Sequence, residues 1–489
     1  MFRDPVALAL MLALGNNARL TMEDTMTIES IKYEEFLLKK AQLNDGDGFA
    51  PIWMPGFLFD FQSHIVEWAV RRGRAAIFAD CGMGKTPMQL VWAENVRRHT
   101  NKPVLIITPL AVSQQTVEEA EKFGIEAKVS REGLIDAPII VTNYERLHYF
   151  QSSDFGGVVC DESSAIKSFT GKTRAEVTEF LRLHRYRLLC TATAAPNDYI
   201  ELGTSSEALG EMGARDMLSH FFKNDQNNGA GGVGRRAWRT QGGGELKWRF
   251  KGHAEIPFWK WVSSWARAIR KPSDFGFNDE SFKLPKLIER EHLVKAATLP
   301  PGCLFEMIAQ GLTMIREEQR RTITERCERM AELCQAKDPV VVWCNLNDEG
   351  KLLSKLLPDF IEVSGSSSPE FKEEAFNGFR RGEIRGLITK SKIGAWGMNW
   401  QHCAHTVIFP SYSYEQYYQL VRRFWRFGQT RNVIVDIVTT ESGHDIMEAL
   451  TRKAEQTDRM FSSLVEHMNN ARQISLTKDT RKMEVPKWL

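Results

Sequence analysis

The stretch Ala79-Asp80-Cys81-Gly82-Met83-Gly84-Lys85-Thr86 decides how this chain is read. It follows a short apolar run, Ala75-Ala76-Ile77-Phe78, and leads into a helical pattern from Pro87 to Val96. Strand, glycine loop, Lys-Thr and helix in that order form a P-loop, which cradles the phosphates of a nucleotide such as ATP. Backbone N–H groups around Gly82 and Gly84 and the helix N-terminus face the anion. Lys85 neutralises β/γ charge, and the Thr86 hydroxyl reaches Mg²⁺. Ala79 stands where the strict pattern has Gly, so an ordinary glycine-rich turn competes for the octapeptide taken alone.

What lies downstream weakens that competitor. Val158-Val159-Cys160-Asp161-Glu162 is an apolar strand ending in two carboxylates, at the sheet edge where the phosphate loop lies. There Asp161 can hold Mg²⁺ and Glu162 can polarise an attacking water. Phe61-Gln62 precedes the first strand: a Gln amide donates to and accepts from an adenine edge at once, and an aromatic neighbour stacks on the base. Cys190-Thr191-Ala192-Thr193 closes another strand with hydroxyls that can link hydrolysis to movement. Far along the chain, Arg423 and Arg426 lie three apart on one helix face, with Phe424 and Trp425 between them. Guanidiniums so held can cross a cleft to a γ-phosphate.

The chain-wide pattern agrees. Five apolar runs (75–79, 104–108, 139–142, 158–160, 188–191) alternate with helical stretches, and five more (340–343, 360–363, 386–389, 406–409, 433–438) do so after a linker near Leu284-Pro285. Such alternation predicts parallel sheets covered on both faces, with ligands at the strand C-termini. The fold class is α/β: two parallel-sheet lobes in tandem, with a basic aromatic insertion between them. The expected divisions are an N-terminal extension 1–50, a first lobe 51–205, the insertion 206–285, a second lobe 286–442, and a C-terminal helix and tail 443–489.

Within the insertion, Arg235, Arg236, Arg239, Lys247 and Arg249 are interleaved with Trp238, Trp248 and Phe250 in glycine-rich surroundings. That mixture suits phosphate contact plus base stacking, and residues 238–250 read as a hairpin. Phe258, Trp261, Val262, Trp265 and Ile269, at helical spacing, read as core.

Composition bounds the rest. In 489 residues, 43% are hydrophobic and 26% charged, which is globular. The net charge of +2 means that nucleic acid must be met by local basic patches rather than an overall cationic field. Eight cysteines without a C-x-x-C pair fit free buried thiols in a reducing cytoplasm. Val6 to Leu14 is apolar but too short to span a bilayer, and no clear cleavage site follows.

The ordered set resembles the superfamily-two helicases and translocases, and within them most of all the Swi/Snf-type ATPases. Ala79–Thr86 is similar to their first motif, Thr108-Pro109-Leu110 to the next, Asp161–Lys167 to the Asp-Glu box, and Thr191–Asn197 to the third. Gly397-Met398-Asn399 and Arg423–Gln429 are similar to the fifth and sixth. Phage and prophage members resemble it most, in Asp-Glu-Ser-Ser and the Tyr-Tyr-Gln-x-x-Arg-Arg run. The resemblance implies that the two lobes are RecA-like and form an ATP- and Mg²⁺-dependent motor on DNA in a bacterial or phage-infected cytoplasm. Gln62 would read adenine, Gly397 and Asn399 would lie near the ribose, and Arg423 and Arg426 would be the fingers. Duplex DNA is the expected track. A strand-separating helicase on single strands, an ATP-dependent clamp that does not hydrolyse, and action on RNA stay open. Ser163-Ser164 replaces the usual Ala-His, and Gln115 lies near a usual Trp; both departures bear on coupling.

Overall fold

The computed structural model describes residues 48–168, 171–194, 199–224, 248–295, 312–394, 398–411 and 413–440, together with 450–467 apart from 453, 456, 457, 459 and 460. Among these, the first lobe has strands β1 (Arg74–Ala79), β2 (Val104–Thr108), β3 (Ala127–Val129), β4 (Ile139–Asn143), β5 (Gly157–Asp161) and β6 (Tyr186–Thr191). A two-stranded ribbon follows, β7 (Phe222–Asn224) with β8 (Trp248–Phe250), and then β9 (Ala266–Ile269). The second lobe has β10 (Leu287–Leu293), β11 (Val340–Trp343), β12 (Phe360–Val363), β13 (Gly386–Thr389), β14 (His405–Ile408) and β15 (Val433–Thr439). The two large sheets run β3-β4-β2-β5-β6-β1-β9 and β10-β15-β14-β11-β13-β12, with parallel pairing throughout.

Sequence dictates this layering. Every residue of β2, β4, β5 and β6 is buried, as continuous apolar strands must be when helices cover both faces. The helix Asp60–Arg72 opens on an acidic residue and closes on Arg71 and Arg72, complementing its dipole, and Gly73 at φ 75 ends it. Ser368 caps the helix Pro369–Arg380, accepting from the Phe371 N–H at 3.2 Å. Two apolar clusters sandwich the first sheet, and two more the second. All seven described cysteines are free and buried.

Three elements depart from the sequence reading. Ile269 does not continue a helix. The helix Glu255–Trp265 ends at Trp265, and Ala266–Ile269 pairs with β1 as the seventh strand of the first sheet. The expected boundary at 206 therefore cuts through a unit that shares one sheet and one core. Trp248–Phe250 pairs antiparallel with Phe222–Asn224, while the other arm of the expected hairpin lies outside the described residues. Leu287–Leu293, inside the expected second lobe but not among its apolar runs, is the edge strand of the second sheet. After β15 the chain returns to the first lobe, where Phe461 and Leu464 join its core and Asp458 meets Arg270 at 3.3 Å.

Candidate active site

Because β1, β6 and β5 are neighbours, the phosphate loop, the Thr191 segment and the acidic pair emerge side by side at one sheet edge. Gly82 (φ 91) and Gly84 (φ 76) are left-handed, a conformation that costs a side-chain-bearing residue about 1 kcal/mol or more. Lys85 and Thr86 open the helix Lys85–Thr100, whose first turn carries no acidic residue. The Lys85 Nζ donates to the Ala79 carbonyl at 3.1 Å, and Thr86 is half-buried.

Asp161 ends β5, buried. Its Oδ1 accepts from Gln89 Nε2 at 2.6 Å, and its carbonyl accepts from the Tyr144 hydroxyl at 2.6 Å. Burial, reinforced by the Glu162 charge, pushes the Asp161 carboxyl up to about 6 despite Gln89 and Lys85. Glu162 sits at φ 49, rare for a residue with a side chain. The Thr191 hydroxyl donates to its carboxylate at 3.4 Å. Ser164, Thr193 and Gln419 extend this network across the lobes: Thr193 Oγ1 donates to Ser164 Oγ at 3.4 Å and accepts from Gln419 Nε2 at 3.3 Å.

The second lobe reaches the loop directly. Arg423 is 2% exposed. Its Nε donates to the Gln419 carbonyl at 2.8 Å, its Nη1 to the Met398 carbonyl at 3.3 Å, and its Nη2 lies 4.0 Å from the Cys81 sulfur. Arg426 shares the Met398 carbonyl at 3.4 Å, and its buried Nε has no partner among the described residues. Burial pulls the Arg426 guanidinium downward from its usual value. The backbone nitrogen of Phe427 would lie 2.6 Å from a Cβ added to Gly82, so the loop can be approached this closely only at glycine. The Asn399 N–H donates to Gln115 Oε1 of the first lobe at 3.1 Å.

Some expected residues behave otherwise. Both ends of the Gln62 amide are engaged inside the protein: Oε1 accepts from the Phe59 N–H at 3.1 Å and Nε2 donates to the Met83 carbonyl at 3.0 Å. Gln62 therefore braces the phosphate loop here. Phe250 spends its faces on Phe222 (4.7 Å between centroids) and Tyr199 (5.3 Å), and half-buried Trp248 packs on the first-lobe core, so Phe250 is no free stacking platform. Arg249 is exposed. Gly397, Arg235, Arg236, Trp238, Arg239 and Lys247 lie outside the described residues. Sequence reasoning met Gln89, Tyr144, Asp80, Tyr418 and Arg422 only inside motif stretches and gave none of them a role of its own. Arg422 immediately precedes Arg423 and pairs with Asp80 at 2.7 Å.

Among the described residues no group of three or more His, Cys, Asp or Glu side chains could hold a metal ion, and no helix is long and apolar enough to cross a membrane. Residues 325–428 match the helicase conserved C-terminal domain family. A search of curated proteins gave no match. Among solved structures the chain is similar to S. cerevisiae Dbp5 bound to RNA and ADP BeF3, at 12% identity and a TM-score of 0.54, covering 83% of this chain and 93% of that one. It also matches the Sulfolobus solfataricus SWI2/SNF2 ATPase core in complex with dsDNA, at 18% identity over 84% of this chain and 94% of that one, with a TM-score of only 0.37. The likeness to Dbp5 establishes a shared fold, two RecA-like lobes in tandem, and the residues that match the helicase C-terminal family lie in the second lobe.

Proposed function

We propose that this chain is a nucleic-acid-dependent ATPase of the helicase type that couples ATP hydrolysis to movement along DNA, with duplex the favoured track. The observation that carries the reading is the delivery of buried Arg423 by the second lobe to within 4.0 Å of the phosphate loop, at the sheet edge that holds Asp161 and Glu162. Among the described residues neither Arg423 nor Arg426 has a carboxylate in salt-bridge range, and both donate to backbone carbonyls instead. Two guanidiniums on one segment of the second lobe, one reaching the phosphate loop at Cys81 and the other with an orphaned Nε, fit a polyphosphate anion.

Lys85 and Thr86 would hold the phosphates of ATP, and Thr86 with Asp161 would hold Mg²⁺, which when bound neutralises charge developing on the phosphoryl oxygens. Glu162 polarises the attacking water, its carboxylate steadied by Thr191. Arg423 and Arg426 stabilise the transition state from the opposite lobe, a contribution of about 10³–10⁵ in rate for such fingers. The Ser164–Thr193–Gln419 contacts tie the acidic segment to the arginine-bearing helix, supplying through hydroxyls and an amide the coupling that Ala-His would otherwise carry.

The motif likeness to Swi/Snf-type ATPases supports a duplex track. Arg235, Arg236, Trp238, Arg239, Lys247, Trp248 and Arg249 are the proposed nucleic-acid contact, led by exposed Arg249. Displacement of a third strand from a duplex, run beside unwinding of a forked duplex and of an RNA duplex, tests the reading. ATP-dependent displacement without unwinding is expected from the wild type and not from Lys85→Ala. Unwinding of either fork without displacement would replace the translocase with a helicase on that polymer.

A further inference from the structure

An acidic residue inside a phosphate loop is electrostatically awkward, because it repels the anion that the loop is built to hold. Asp80 is such a residue, two positions before Gly82. Its Oδ1 accepts from the Cys81 N–H at 2.6 Å and from the Tyr418 hydroxyl, and its Oδ2 accepts from Arg422 Nη2 at 2.7 Å. Only 10% of the Asp80 side chain and 13% of the Arg422 side chain remain exposed. The Arg422 guanidinium also lies over the Tyr418 ring (5.1 Å) and the Trp425 ring (4.7 Å), and Trp425 donates to the Pro285 carbonyl in the segment joining the lobes, at 2.7 Å. Asp80 belongs to the first lobe, while Tyr418 and Arg422 belong to the second. The loop's negative charge is therefore neutralised by groups that reach it only when the lobes are together.

We infer that Asp80 and Arg422 form a charge latch that makes nucleotide affinity depend on lobe closure. With the lobes together, Arg422 cancels Asp80 and fixes the register of the neighbouring Arg423 on the loop. With the lobes apart, Asp80 is an uncompensated carboxylate beside the phosphates and favours release of spent nucleotide. Asp80 and Arg422 are thus positioning residues. The inference rests on the nucleotide-binding reading above and goes beyond it by assigning a release step to two residues outside the hydrolytic set.

The test is a double-mutant cycle on the full chain, read by equilibrium binding of fluorescent ATP and ADP analogues and by kcat and KM separately, with Lys85→Ala as the blank. Arg422→Gln leaves Asp80 uncancelled and is expected to weaken ADP and ATP binding about tenfold or more. Asp80→Asn alone is expected to slow ADP release. Asp80→Asn added to Arg422→Gln is expected to restore binding to near the wild-type value without restoring kcat, since Arg423 has lost its register. Arg422→Lys, which keeps the charge, is expected to retain most of the affinity and guards against a folding defect in Arg422→Gln. Additive effects, with no rescue of Arg422→Gln by Asp80→Asn in a wild-type background that binds nucleotide, would overturn the latch alone. Wild-type binding no better than Lys85→Ala would overturn the latch together with the nucleotide reading beneath it.

Discussion

At Gly84 the backbone is left-handed and an added Cβ would fall on the Nε2 of Gln62, whose amide is already committed at both ends. Gly84→Ala is expected to cost about 1–2 kcal/mol in stability and to displace the Gln62 brace. A thermal melt and a nucleotide titration on the same sample check this, the titration showing the larger change. A second residue-scale expectation follows from Asp161. Its carboxyl, pushed up to about 6 chiefly by burial, is ionised at pH 8 and about half protonated near pH 6. Because only the ionised form holds a cation, the Mg²⁺ concentration for half-maximal ATPase activity is expected to rise as pH falls from 8 to 6. A flat Mg²⁺ requirement over that range would remove Asp161 from the metal role. Lys85, Asp161, Glu162, Arg423 and Arg426 could be read from sequence because each belongs to a local pattern. Asp80 and Arg422 could not: they are 342 positions apart, and nothing local to either signals a pair.

At the scale of elements, the aromatic helix Glu255–Trp265 separates packing from function. Trp259, Trp261 and Trp265 are buried in the core of the first lobe, against β1 and β9. Trp261→Ala is expected to destabilise by about 3–5 kcal/mol in a denaturant titration. Arg249→Ala, at an exposed position of the ribbon nearby, is expected to lower the salt dependence of DNA binding by about one phosphate contact. In the second sheet, Asp436 on β15 is buried and accepts from Arg290 at 2.7 Å through both oxygens, from His292 at 2.8 Å and from His405 at 2.7 Å. Burial alone would raise this carboxyl; the bonds from His405, Arg290 and His292 instead hold it well below the usual range. A folded-state value below the unfolded one makes the contribution complete above about pH 4, and it is lost as pH falls through the lower folded value. Asp436→Asn is therefore expected to cost about 3 kcal/mol between pH 8 and 5, with the gap to wild type narrowing under acid in urea titrations. The alternating apolar runs made ten strands legible. Those missed in the two large sheets, β3, β9 and β10, are short or charged edge strands: Ala266-Arg267-Ala268-Ile269 follows its helix without a turn signal, and Glu289-Arg290-Glu291-His292 has no apolar alternation.

At the scale of the molecule, two lobes face one another across polar contacts. Arg131–Glu373 (2.7 Å) and Arg380–Glu118 (2.6 Å) are partly exposed pairs of the kind worth up to about 1 kcal/mol each. Asn399–Gln115, Gln419–Thr193 and Arg422–Asp80 lie deeper, at the site itself. An interface held mainly by such contacts can open and close, whereas one sealed by a continuous apolar core could not. The tandem arrangement was legible because each half repeats the same strand–helix alternation; the return of residues 458–464 to the first lobe was not, since it depends on where the second lobe sits. The most direct test of the account is the rate of ATP hydrolysis with no nucleic acid, duplex DNA, single-stranded DNA and RNA, for the wild type and Lys85→Ala. The account predicts a rate for the wild type that duplex DNA raises most and that Lys85→Ala abolishes. A rate that no polymer lifts above the Lys85→Ala blank would contradict it.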